Sequence, residues 1–99
     1  MKKIAPKENE LFEAMLKLES LQECQKFFSD LCTPSEIQSM SDRWKVVQLL
    51  SDGIPYRDIY KKTGVSTATV TRVARSLEYG EGYRLLLQRT KKKGKDGND

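Results

Sequence analysis

The sequence predicts an all-α chain in which two short helices and the turn between them form a helix-turn-helix. Three observations carry this. Apolar residues recur every three to four positions through most of the chain. Helix stop and start signals separate the periodic runs. The prolines and glycines fall mostly outside those runs. Ninety-nine residues suffice for one domain and leave little for a second core.

In chain order, residues 1–7 are basic and unpatterned and are expected to be a flexible N-terminus. From Glu8 a helical stripe runs through Leu11, Met15, Leu18, Leu21, Phe28 and Leu31, with Glu13, Lys17, Glu19, Glu23 and Lys26 turned outward. Ser20 marks a break between two helices. Phe12, Leu16, Cys24 and Phe27 widen the stripe beyond one contact face. So small a chain has too little core of its own to cover it, so the expected partner is a second copy, giving a homodimer.

Thr33-Pro34-Ser35-Glu36 is a helix start: Thr33 caps, Pro34 takes the first position and Glu36 completes a capping box. The helix after it buries Ile37, Met40, Trp44, Val47 and Leu50, flanked by Val46 and Leu49, with a kink or restart expected across the polar stretch 39–42. Gly53 ends it in a left-handed cap.

Residues 55–77 carry the helix-turn-helix. Pro55 suits the first position of a helix that runs to about Lys62, and Gly64 supplies the left-handed conformation that stops it. Val65 plugs the corner, and Ile59 and Thr63 face Val70 across it. Ser66 caps the next helix, whose apolar stripe is Val70, Val73, Ala74 and Leu77. Its other face holds Thr67, Ala68, Thr71, Arg72 and Arg75. Small residues and hydroxyls allow close approach to base edges, and arginines reach guanine or phosphate oxygens. No acidic residue occurs from Ser66 to Leu77, which fits a face meant for a polyanion.

After Leu77, Tyr79-Gly80-Glu81-Gly82 breaks the helix. Tyr83 to Gln88 forms a short last helix with Leu85, Leu86 and Leu87, a second candidate for a dimer contact. Residues 90–99 are rich in lysine, lack apolar residues and are expected to be a disordered basic tail.

Charge and composition exclude several classes. Residues 1–53 hold seven basic and nine acidic side chains, whereas residues 54–95 hold eleven basic and three acidic. The basic half is the helix-turn-helix half, which favours double-stranded DNA as partner. No run is long and apolar enough to span a bilayer, and none has the wide apolar face of a membrane-lying helix. There is no histidine, and Cys24 and Cys32 are eight apart without a CxxC, so no metal and no cofactor is expected. The cysteines read as two buried thiols, and the chain as cytoplasmic. With no histidine, no spaced carboxylate cluster and no phosphate-cradling glycine loop, no catalytic residue is assigned.

Several phrases together resemble a known family. LCTPSE, then Arg43 with the apolar helix to Leu50, then TGVSTATVTRVARSL, resemble the Trp repressor superfamily in order and spacing. ECQKFFSDLCT, STATVTRV and LEYGEGY are similar, more narrowly, to its uncharacterised Trp-repressor-like branch of the YerC/YecD type. The resemblance covers roughly residues 8–89, the expected domain. It implies an intertwined homodimer in which N-terminal helices of one chain wrap the other. Two recognition helices would then enter successive major grooves, about 34 Å apart, on a near-palindromic operator. By position it implies DNA contacts for Arg57 and Thr71, with Thr67 and Ala68 at the tip of the reading helix. Tyr60 stands where the repressor has a lysine.

The resemblance also implies an effector site. Arg43 and Arg72 match the two arginines that sandwich the repressor's tryptophan, with Thr33 and Ser76 at matching polar positions. The residue after the second arginine is glycine in the repressor and Val73 here. A branched side chain enters the space that glycine leaves open, so free tryptophan is not the expected ligand. Arg43 and Arg72 either bind another small anion, or Arg72 simply touches phosphate.

The DNA-binding set is therefore Arg57, Ser66, Thr67, Ala68, Thr71, Arg72 and Arg75, and the effector set is Thr33, Arg43, Arg72 and Ser76. The leading function is a homodimeric, sequence-specific transcriptional regulator, a repressor more readily than an activator. No segment outside the DNA-binding body is large enough to recruit polymerase. The alternative is a protein-interaction module with only non-specific nucleic-acid affinity.

Overall fold

The computed structural model describes residues 3–97, and the side chains of residues 3–91. Among the described residues there are six helices and no strand: α1 (Pro6–Leu16), α2 (Leu21–Leu31), α3 (Pro34–Ser51), α4 (Tyr56–Thr63), α5 (Thr67–Tyr79) and α6 (Gly82–Gly97). The chain divides into two compact units, Met1–Ile37 and Gln38–Asp99.

In the N-terminal unit, α1 begins at Pro6, two residues before the sequence-based boundary. Pro6 lacks the N–H that the first turn would leave unpaired. The Ala5 carbonyl accepts from the amides of Glu8 and Asn9, and the Glu8 carboxylate accepts from the Ala5 amide at 3.3 Å. Alanine has no side-chain acceptor, so only this returning half of a capping box forms. Met1 and Lys2 of the expected flexible terminus lie outside the described residues. The break at Ser20 is present: its Oγ accepts from the Glu23 amide at 3.1 Å and opens α2.

Neither α1 nor α2 contains a buried residue. Leu16 is 84% exposed and Leu21 75%. Phe27 and Phe28 meet edge to face with centroids 5.4 Å apart, and both are half-buried. Cys24 and Cys32 are free thiols and half-buried, not buried as the sequence suggests, because α2 has no cover on its apolar side.

At the start of α3, Thr33 Oγ1 accepts from the Glu36 amide at 3.1 Å and the Glu36 carboxylate accepts from the Thr33 amide at 2.8 Å. This is the full capping box. The Thr33 backbone amide, and then its side chain, hold the Glu36 carboxyl below its ordinary pKa. α3 runs without interruption from Pro34 to Ser51, so the kink expected at 39–42 is absent. That stretch contains neither glycine nor proline, and Gln38 Nε2 donates to Asp42 Oδ1 at 3.2 Å along its surface.

The second unit holds the core. Val46, Val47, Ile59, Val65, Val70 and Val73 are buried, and Trp44, Leu49, Leu50, Ile54, Leu77, Tyr83 and Leu87 pack around them. The core meets the Val46–Val47 side of α3, so Val46 is fully buried while Met40, placed in the stripe by the sequence, is 39% exposed. Gly53 closes α3 at φ 80°, with its amide on the Leu50 carbonyl and the Ile54 amide on that of Leu49.

α6 packs on α5. Its start is fixed by the Trp44–Tyr83 ring contact, centroids 6.4 Å apart, and by Arg84, whose Nε and Nη2 donate to the Gly80 carbonyl at 2.9 and 2.6 Å. Gly80 itself is required: a Cβ there would lie 2.6 Å from the Ser76 carbonyl oxygen. The helix continues past Gln88 to Gly97, through most of the stretch expected to be a disordered tail. Lysine, arginine and glutamine are good helix formers and no proline interrupts them. Asn98 and Asp99 lie outside the described residues.

Candidate nucleic-acid interface

The interface is built on α4, the turn and α5. Pro55 has φ −62° and ψ 151° and serves as the N-cap of α4, one position before that read from the sequence. Its carbonyl accepts from the amides of Asp58 and Ile59, both at 3.0 Å. Gly64 then closes α4 at φ 75°, with its amide on the Tyr60 carbonyl at 2.7 Å. An L side chain at that φ costs about 1 kcal/mol or more.

Thr63 bridges the corner: its Oγ1 donates to the Ile59 carbonyl at 2.7 Å and accepts from the Val65 amide at 3.1 Å. Val65 is thereby turned into the core, 8% exposed, where it plugs the angle between the two helices. Ser66 Oγ accepts from the Thr69 amide at 3.2 Å and donates to Thr69 Oγ1 at 3.1 Å, which starts α5.

With Val70 fully buried and Val73 2% exposed, the rotation of α5 is fixed. Thr67, Ala68, Thr71, Arg72 and Arg75 all lie exposed on its other side. The structure therefore brings this part of the sequence-derived set onto one helix, with Arg57 exposed on α4 before it. Ser66 is exposed too, but its hydroxyl is engaged in the cap. Its contribution to a ligand is to aim the first amides of α5 outward, where the helix dipole favours an anion.

The effector set is divided. Arg43, Arg72 and Ser76 are exposed residues of the second unit, whereas Thr33 belongs to the N-terminal unit and its hydroxyl caps α3. Val73 lies in the core, as its place in the stripe requires. Surface hollows are lined by Glu81, Gly82, Arg84, Leu85 and Gln88, and by Gln22, Gln25, Lys26, Ser29 and Asp30, and neither involves the effector set. Among the described residues no cluster of three metal-ligating side chains occurs, and no helix is long and apolar enough to cross a membrane.

The sequence reading passed over Tyr56 as a site residue and set Tyr60 aside. Both are exposed, at 46% and 51%, on the helix that carries Arg57. Their spacing of four residues, offset from Ile59, was the available signal.

A short α4 held by a left-handed glycine to a capped α5, with a basic outward face, defines the chain as an all-helical protein of the helix-turn-helix class. The family model for the Trp repressor protein matches residues 7–91. The chain belongs to the Trp repressor family, a regulatory DNA-binding family rather than an enzymatic one. It is 46% identical over 84 residues to the uncharacterised protein YerC of Bacillus subtilis strain 168, covering 84% of this chain and 81% of that one. Among solved structures it matches a TrpR-like protein from Eubacterium eligens ATCC 27750 with TM-score 0.83 and 45% identity, over 87% of this chain and 90% of that one. A protein from Staphylococcus aureus described as a candidate Trp repressor matches with TM-score 0.80 and 46% identity, over 84% of each chain.

Proposed function

We propose that this chain is a sequence-specific, DNA-binding transcriptional repressor that works in the cytoplasm as a homodimer on a near-palindromic operator. The observation that carries the reading is the outward face of α5, where Thr67, Ala68, Thr71, Arg72 and Arg75 are exposed opposite a fully buried Val70. The hydroxyls and methyls approach base edges, and Arg72 and Arg75 supply bidentate contacts to guanine or to phosphate oxygens. Arg57 anchors the head on the backbone.

Two-fold symmetry is supported by the N-terminal unit, whose Leu16 and Leu21 are 84% and 75% exposed and gain cover from a second copy. Readout by such a dimer favours its operator by roughly 4–10 kcal/mol over other DNA. Free tryptophan is not the effector in this reading, because Val73 fills its place with a core side chain.

A second reading, a protein-interaction module whose basic half only coats phosphate, rests on the same exposed leucines. Arg72→Ala with Arg75→Ala separates the two. Loss of about 1–3 kcal/mol of DNA binding per arginine with unchanged circular dichroism supports the reader. Unaltered affinity for duplex DNA supports the module.

A further inference from the structure

We propose that Tyr56 and Tyr60, with Arg57, form a clamp on the DNA backbone in which the two phenol hydroxyls donate to phosphate oxygens as neutral contacts. The proposal rests on the reading of the chain as a DNA binder, and names further residues of that site.

Ile59, fully buried, fixes how α4 is turned about its axis. At roughly 100° per residue, Tyr56, Tyr60 and Arg57 then fall within about 100° of one another, on one flank away from the core. Both tyrosines are large and about half exposed, and neither hydroxyl has a hydrogen-bond partner among the described residues. An exposed phenol is an apolar body carrying one strong donor, so it gains most where its ring lies on a surface and its hydroxyl meets an acceptor.

The charge nearby selects the acceptor. Lys61 and Lys62 follow on the same helix, and residues 54–95 carry eleven basic against three acidic side chains. A polyanion is the complementary partner, and duplex DNA presents a row of phosphate oxygens at the spacing of successive helix turns. The first helix of a helix-turn-helix crosses that backbone while the second enters the groove.

A tyrosine contact differs from a lysine contact in one measurable respect. It adds affinity without releasing a counterion, so it leaves the dependence of binding on salt unchanged. Backbone contacts also act uniformly on all sequences, so a mixed-sequence duplex serves as probe.

The test compares the full chain with Tyr56→Phe/Tyr60→Phe and with Arg57→Ala, by fluorescence anisotropy on that duplex over a salt series. The double phenylalanine variant is expected to bind roughly tenfold more weakly, the loss that follows removal of hydrogen bonds to charged acceptors. Its slope of log affinity against log salt should equal the wild-type slope, whereas Arg57→Ala should flatten it by about 0.9. Phenylalanine keeps the ring, and circular dichroism checks that α4 is intact. Wild-type affinity in the double variant, or a loss accompanied by a flattened slope, overturns the clamp while leaving the DNA-binding reading in place. Absence of any duplex binding by the wild-type chain overturns both.

Discussion

The two units of this chain are built from the same kind of helix and differ in what covers them. In Gln38–Asp99, six apolar residues from α3, α4, the turn and α5 are shielded from water, and every helix junction is closed by a named hydrogen bond. In Met1–Ile37, no residue of α1 or α2 is buried, although their caps are equally well made. Local signals can define a helix without giving it a place to pack. The head holds itself together, and the N-terminal helices require another surface.

The same substitution placed in both regions puts this contrast under the largest load. Val70→Asp puts a carboxylate at a fully buried site among Ile59, Val65 and Val73 and should cost several kcal/mol, melting the head at every protein concentration. Leu21→Asp sits at the first position of α2, where a carboxylate favours the helix dipole and the site is 75% exposed. Its effect should appear only through association: the wild-type melting midpoint rises with concentration, and that of Leu21→Asp does not. Equal losses from the two substitutions at low concentration would erase the distinction.

The smallest effect sharpens the same comparison inside one cap. Glu36 is held below its ordinary pKa by Thr33, so its carboxylate form belongs to the folded helix start. A group depressed on folding stabilises above its unfolded pKa and ceases to do so as pH falls through its folded value. Acid should therefore loosen the start of α3, and Glu36→Ala should remove that part of the acid sensitivity. Thermal midpoints followed from neutral to acidic pH check it; identical profiles for both proteins would mean that the box contributes nothing.

The head was legible in the sequence because its determinants are local. Gly64, Ser66, the Val70–Val73 stripe and the Thr33–Glu36 box each act within one turn, and each is found where the spacing puts it. What escaped depends on neighbours or on the absence of a breaker. Val46 rather than Met40 is fully buried because the core meets α3 from that side, a tertiary fact. The polar residues at 39–42 suggested a kink, but polarity alone does not break a helix. α6 outruns its apolar stripe because charged residues continue a helix that nothing stops. On the site, sequence attention went to arginines and hydroxyls, and the exposed tyrosines of α4 emerged only once Ile59 had fixed its rotation.

The measurement that bears most directly on the central claim is selection of bound duplexes from a random library, at physiological salt and without added ligand, followed by sequencing. A dimer reading through α5 predicts a two-fold symmetric motif whose half-sites lie one helical turn, about 34 Å, apart. Bound duplexes carrying no enriched motif would contradict it, leaving a basic surface that holds phosphate and reads no sequence.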